Sequence, residues 1–329
     1  MSQHPHRCIA SLFLLFSLTA GTPTAFAEPH HAVVRDWPTV PEGHVLGLCS
    51  GVGVDSHNRV FVFHRSGRQW TTPFPKETIA APTVSIFDGP SGKLIASWGA
   101  GLFVMPHGLS IDREDNVWLT DVGLQQVFKF TPDGKILLTL GERGQAGSDH
   151  SHFNFPTDVA VLPDGSFYVS DGYRNTRVVK FTSDGLYDFE WGGKGASAGL
   201  FNLPHGIAVD AAGRVYVCDR SNSRLQIFDA KGKFLDQWKG PQIGRPYGVC
   251  VGPDGHIFLI DGGDPAQKPA ERGKAVELDV AGHVLDTFGS PGKEPGQFQT
   301  GHDIAVGPDG AVYVADAGGQ RVQKFVKAK

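Results

Sequence analysis

Short apolar-polar alternating runs recur along most of this chain, cut by turns rich in glycine, proline and aspartate. A period of two marks half-buried β-strands, and no stretch after the first thirty or so residues sustains the 3.6-residue stripe of a long helix. Six segments align without gaps: Ser50-Gly-Val-Gly-Val-Asp55, His107-Gly-Leu-Ser-Ile-Asp112, Thr157-Asp-Val-Ala-Val-Leu162, His205-Gly-Ile-Ala-Val-Asp210, Tyr247-Gly-Val-Cys-Val-Gly252 and His302-Asp-Ile-Ala-Val-Gly307. Their first residue is taken as position zero. Fourteen residues on stand His64, Asp121, Asp171, Asp219, Asp261 and Asp316, each closing a second strand such as Val215-Tyr-Val-Cys218. Pro163-Asp164-Gly165, Pro253-Asp254-Gly255 and Pro308-Asp309-Gly310 supply the tight turns between paired strands.

Third and fourth strands follow, as in Leu225-Gln-Ile-Phe228 and Phe234-Leu-Asp-Gln-Trp238, so the unit is a four-stranded meander repeating every 42 to 57 residues. Such a unit cannot cover both its faces alone. Six of them arranged radially cover one another and close a ring. The expectation is an all-β, six-bladed β-propeller spanning residues 28–329, with no linker long enough to divide it. The unit resembles the NHL repeat, best at Leu203-Pro-His-Gly-Ile-Ala-Val-Asp210 through Gly213-Arg-Val-Tyr-Val-Cys-Asp219 to Phe228, and at Gly310 to Phe325.

Residues 1–27 stand apart from this pattern. Arg7 precedes the apolar run Ile9–Phe16, and Ala25-Phe26-Ala27 has the small-x-small form of a signal peptidase site. This reads as a secretory leader, too short for a membrane span, so the chain is expected to be secreted or periplasmic. A net charge of −4 offers no basic face for nucleic acid. Of four cysteines, Cys8 leaves with the leader, and Cys49, Cys218 and Cys250 allow at most one disulfide. The core must therefore hold the fold.

Position zero begins the innermost strand of each blade and so lines the central channel. Around the ring it reads Ser50, His107, Thr157, His205, Tyr247, His302. Histidine fills alternate blades, about 120° apart in a six-fold ring. Three imidazoles converging on one axis, with a fourth position open, make the ligand set of a catalytic zinc. Other metals that suit imidazole stay open on these grounds. Three unrelated core histidines would be the bland account, but alternate filling of one register disfavours it. His30, His31, His150 and His152 are off register and read as surface or tail residues.

Beyond the second strand, on one face of the ring, lie Arg65 and Arg220 at position fifteen of opposite blades and Tyr173 at position sixteen. Two guanidinium groups over a metal suit an anionic substrate, and a tyrosine between metal and arginine can act as a base. Each of the three has a structural alternative of about equal weight. The aspartates at position fourteen recur in nearly every unit, which argues for a fold role through bonds to adjacent-blade backbone. Three longer insertions, Ser66–Pro82 with Trp70 and Phe74, Glu142–His152, and Asp261–Lys274, are candidates for shaping the substrate mouth.

Several stretches sharpen the resemblance: Gly51-Val-Gly-Val-Asp55, Val62-Phe-His-Arg65, Met105-Pro-His-Gly-Leu-Ser-Ile-Asp112, Thr120 to Phe130, Gly147-Ser-Asp-His-Ser-His-Phe153, Phe155 to Val161, Val169-Ser-Asp-Gly-Tyr-Arg-Asn-Thr-Arg177 and Gly301-His-Asp-Ile-Ala-Val306. In these the chain is similar to the peptidyl-α-hydroxyglycine α-amidating lyase family. That resemblance implies a carbon–nitrogen lyase that splits a C-terminal α-hydroxyglycine-like group from a peptide or small molecule, giving an amide and glyoxylate. It implies zinc on His107, His205 and His302, catalysis by Tyr173 with Arg65 and Arg220, and a structural calcium on the carbonyls of Val52 and Leu109 and the carboxylate of Asp303. A monomer with no nucleic-acid or membrane partner is expected. The chain departs from the family at two disulfides, whose positions hold Asn154 with Arg174 and Tyr216 with Ile227. It also carries Thr300-Gly301 where animal members have Met-Pro. Two other classes stay open: a zinc lyase or hydrolase acting on a different ureido or amide compound, and a non-catalytic propeller that binds a ligand over its channel.

Overall fold

Six four-stranded antiparallel sheets ring a central axis in the computed structural model, which describes residues 1, 31–264 and 272–328. The leader proposed for residues 1–27 lies, apart from Met1, outside the described residues. Blade one comprises Cys49–Val54, Arg59–His64, Val84–Asp88 and Leu94–Trp98. The innermost strands of blades two to five are Pro106–Ile111, Pro156–Val161, Pro204–Val209 and Pro246–Val251. Gly301–Val306 takes the same place in blade six. Among the described residues the only helical segment is a three-residue 3₁₀ turn, Arg220–Asn222. The six-bladed architecture read from the repeat is the one observed.

Packing follows the alternation. Second strands such as Val117–Asp121 and Phe167–Asp171 are buried along their whole length, because a blade above and a blade below cover both faces. Between blades two and three, Trp118 and Phe167 pack with ring centroids 4.4 Å apart. Outer strands such as Ile136–Leu140 are largely exposed.

Ring closure was not legible. His31–Val33 pairs antiparallel with Arg321–Lys327 and supplies the fourth strand of blade six. His31, expected at the surface, is instead only 3% exposed. Its Nδ1 lies 2.7 Å from Asp286 Oδ2 of blade five, and its ring stacks on Phe288 at 4.5 Å. His150 is exposed, as expected, while His152 is half-buried against Asp149 and Glu142; His30 lies outside the described residues.

The position-fourteen aspartates do serve the fold, though within their own blade rather than across to the next. Asp121 accepts hydrogen bonds from the backbone N–H groups of Val104, Met105, Gly123 and Leu124. Asp171 and Asp219 likewise accept from Asn154 and Asn202. Each clamps the segment that leads into its own innermost strand. Cys49, Cys218 and Cys250 are all free thiols.

Candidate metal and active site

Every innermost strand carries a register shift at position zero. A β-bulge turns its residue out of the ladder and re-aims the side chain. The repeat of this bulge is why His107, His205 and His302 point at the axis rather than into a blade. Their three ring centroids are mutually 4.8 Å apart, with interplanar angles of 68–71°. One ring nitrogen of each lies within 4.8 Å of the others.

The second ring nitrogen fixes the tautomer. His107 Nδ1 lies 2.7 Å from the Thr157 carbonyl, His205 Nδ1 2.7 Å from that of Tyr247, and His302 Nδ1 2.7 Å from that of Ser50. A carbonyl can only accept, so each Nδ1 carries the proton and each Nε2 presents a lone pair. In every case the acceptor is the position-zero residue of the next blade. After His107 and His205 a glycine at position one permits this approach, as a Cβ on Gly108 would stand 2.3 Å from the Thr157 oxygen, whereas Asp303 follows His302. Burial first, then nearby charge, holds all three imidazoles well below their ordinary pKa: His302 and Arg65 act on His107, Arg220 on His205, and Arg65 with Arg220 on His302, which falls to about 3. They are neutral at any physiological pH, as metal ligation requires. The donor set therefore fits a zinc ion.

Tyr173 and Arg220 meet the histidines. The Tyr173 hydroxyl is 3.0 Å from His107 Nε2 and 3.4 Å from His205 Nε2. Arg220 Nη1 donates to the same hydroxyl at 3.3 Å. The 3₁₀ turn at Arg220–Asn222 aims this guanidinium inward, and its carbon lies 5.2 Å from the Tyr173 ring centre and 4.5 Å from that of Tyr247. Arg65 is 4% exposed; its Nε donates to the Pro106 carbonyl at 3.0 Å, next to His107, and it faces the Trp70 ring at 5.0 Å. Arg65, Tyr173, Arg220 and His302 all line one open cavity of about 810 Å³.

Among the described residues of the three insertions, only those of Ser66–Pro82 border this cavity, through residues 70–74. Glu142–His152 packs elsewhere, its Gly147 and Ser148 carbonyls bonded by Asn175 and Arg177. Much of Asp261–Lys274 lies outside the described residues.

A second cavity of about 260 Å³ occupies the far end of the channel, lined by Val52, Leu109, Asp303 and, opposite, Asp158. Val52 N–H donates to Asp303 Oδ2 at 2.9 Å and Ile207 N–H to Asp158 Oδ2 at 3.1 Å. In a strand the N–H and C=O of one residue point the same way, so the Val52 carbonyl also faces the channel. Asp158 is 8% exposed and held up to about 7 by burial; Asp303 is raised well above the ordinary carboxylate range by burial and by Asp158. Neither forms an ion pair among the described residues. Two desolvated carboxylates beside inward carbonyls make a hard-oxygen donor set that fits calcium.

Asp158 and Tyr247 were missed as site residues. Asp158 had a signal: position one is glycine in blades one, two, four and five, and aspartate only in opposite blades three and six. Tyr247 had none, since its place against Arg220 depends on distances.

The NHL repeat model matches residues 153–181, 201–228 and 300–325. Over 334 residues the chain is 31% identical to peptidyl-α-hydroxyglycine α-amidating lyase 2 of Drosophila melanogaster, covering 92% of this chain and 77% of that one. The chain belongs to the peptidyl-α-hydroxyglycine α-amidating lyase family. It is also 38% identical over 314 residues to peptidyl-glycine α-amidating monooxygenase B of Xenopus laevis, covering 89% of this chain. It spans only 35% of that longer relative. Virginiamycin B lyase from Staphylococcus aureus has the same fold, with a TM-score of 0.55 at 14% identity, covering 92% of this chain and 99% of that one. Among the described residues no helix is long and apolar enough to cross a membrane.

Proposed function

We propose that this chain is a zinc-dependent lyase that cleaves the C–N bond of an α-hydroxyglycine-type substrate, giving an amide and glyoxylate. The observation that carries this reading is the meeting of Tyr173 Oη with His107 Nε2 at 3.0 Å and Arg220 Nη1 at 3.3 Å, inside a triad of neutral histidines.

His107, His205 and His302 would hold zinc, which supplies Lewis acidity toward a substrate oxygen. Arg65 grips the substrate carboxylate; burial beneath Trp70 removes competing water from that contact. Arg220 donates to the phenol oxygen and holds Tyr173 in place beside the histidines. Tyr173 takes the proton of the substrate hydroxyl. The electrons of that O–H bond form the aldehyde carbonyl, the C–N bond breaks, and its pair stays on the amide nitrogen. The proton held on Tyr173 then passes to that nitrogen. Atoms and charge balance with no added oxidant or reductant.

Asp303, the carbonyls of Val52 and Leu109, and Asp158 across the channel would hold calcium and tie blades one, two, three and six together. Residues 1–27 are read as an export signal, placing the enzyme in the periplasm or outside the cell. The chain acts alone on a peptide or small acyl compound.

The test is glyoxylate release from a synthetic N-acyl-α-hydroxyglycine by the purified chain. Release that disappears in His205→Ala supports the reading. A zinc-loaded chain that releases none overturns it.

A further inference from the structure

Blade five sets two acids against each other. Its third strand, Lys274–Leu278, and its fourth, Val284–Phe288, pair so that Glu277 stands directly opposite Asp286. The same register holds Ile86 and Ala96 in blade one, Lys129 and Leu138 in blade two, Lys180 and Phe189 in blade three, and Ile227 and Asp236 in blade four. Like charges directly opposite destabilise a sheet, and both of these carboxylates are buried. A positive group between them is what such a pair requires.

The first strand brings its ligand to that place. His31 reaches across the seam from blade six, and its Nδ1 lies 2.7 Å from Asp286 Oδ2 and 3.8 Å from Glu277 Oε2. The second distance is too long for a hydrogen bond. Each carboxylate is oriented through its other oxygen. Thr287 N–H donates to Asp286 Oδ1 at 2.8 Å. Lys327 Nζ donates to Glu277 Oε1 at 3.1 Å, and His256 Nδ1 lies 2.7 Å from the same oxygen. These contacts turn Oδ2 and Oε2 toward the imidazole. One nitrogen and two carboxylate oxygens thus lie within 4.8 Å of one another. Ligand atoms around a tetrahedral zinc, with bonds of about 2.0–2.1 Å, stand about 3.3 Å apart. The separations of 2.7 and 3.8 Å straddle that value.

We propose that His31, Glu277 and Asp286 form a second zinc site, separate from the axial histidines, which ties the first strand to blade five and so locks the ring. Two carboxylates and a neutral imidazole offset the charge of a divalent ion inside a buried cluster. A carboxylate accepts, so Nδ1 holds a proton when the site is empty; zinc displaces that proton to solvent and joins the groups it had joined. An imidazole donor disfavours calcium, which takes oxygen ligands, so this site and the far end of the channel select different ions. Lys327 competes for Glu277, so the site fills only when zinc is added beyond what the axial histidines retain. Nothing in this depends on the lyase reading.

The experiment counts zinc on the chelator-treated full chain, dialysed against increasing zinc in saturating calcium. The wild type should bind a second zinc beyond the axial one, and His205→Ala should keep that second ion. Asp286→Asn and His31→Gln each remove a ligand at nearly constant shape, and each should lose the second zinc alone. Melting gives an independent readout. In His205→Ala, zinc should raise the melting temperature, as a ligand of the folded state does, and adding Asp286→Asn should abolish the rise. A folded His205→Ala chain that binds no zinc would overturn the site and leave an ion-paired seam. So would zinc that His205→Ala still binds, with the same rise in melting temperature, after Asp286→Asn is added.

Discussion

His205 Nδ1 and the carbonyl oxygen of Tyr247 lie 2.7 Å apart, and the same relation joins the other two axial histidines to the next blade. Each imidazole is thus oriented by a neighbour's backbone, which no side-chain substitution removes directly. At His107 and His205 the weak point is the glycine that follows. A Cβ on Gly206 would stand 2.7 Å from the Tyr247 oxygen and 2.9 Å from Gly248 Cα. Gly206→Ala should therefore weaken metal binding by about 10- to 100-fold, the usual cost of disturbing a ligand's own partner. Metal titration against a competing chelator measures it.

Tyr173→Phe removes one oxygen and leaves the three imidazoles in place. Turnover should fall by about 10²- to 10⁴-fold, the range for a proton-transfer group. Zinc content should be unchanged. Full turnover in a zinc-loaded Tyr173→Phe protein would end its role as base.

Tyr247 positions a cation. Arg220 Nε is buried without a hydrogen-bond partner, so stacking between the Tyr173 and Tyr247 rings holds the guanidinium. Tyr247→Leu should lower kcat while leaving KM for the carboxylate substrate close to wild type, because Arg65 makes that contact. Tyr247→Phe should restore most of kcat. A larger effect on KM than on kcat would contradict this account.

Acid should unfold the metal-free chain early. Burial holds His64, bonded to Ser85 Oγ at 2.8 Å, down to about 3, and His302 shares that value. The folded pKa lies below the unfolded one, so the unfolded chain takes up protons first. Stability is fully present above about pH 6.5 and falls as pH drops from there toward about 3. Urea midpoints at pH 7.5 and pH 5 check the sign. His64→Gln should flatten the dependence by roughly one proton's worth.

Calcium should stabilise the fold. Adding it to chelator-treated protein should raise the melting temperature, as any ligand specific to the folded state does. Asp158→Asn and Asp303→Asn should each shrink that rise. Differential scanning calorimetry at fixed zinc decides it, and an undiminished rise in both variants would contradict the assignment.

Much of this was readable in the chain because a radial repeat copies each structural role six times. Alternation and turn dipeptides revealed the strands, and one register aligned His107, His205 and His302. That register also held the clue to Asp158, which passed unnoticed among hydrophobic neighbours. His31–Val33 was not legible: three residues carry no period, and their partner lies at the other end of the sequence. Likewise the cluster of His31, Glu277 and Asp286 joins that strand to blade five, so no local pattern announces it. The contact of Arg220 with Tyr247 joins two blades through ring faces, a relation only coordinates express.

Metal content of the purified chain tests the central claim most directly. Elemental mass spectrometry should find about one zinc per chain, lost in His205→Ala while the propeller stays folded. A folded wild-type chain that holds no zinc, even after exposure to it, would contradict the account.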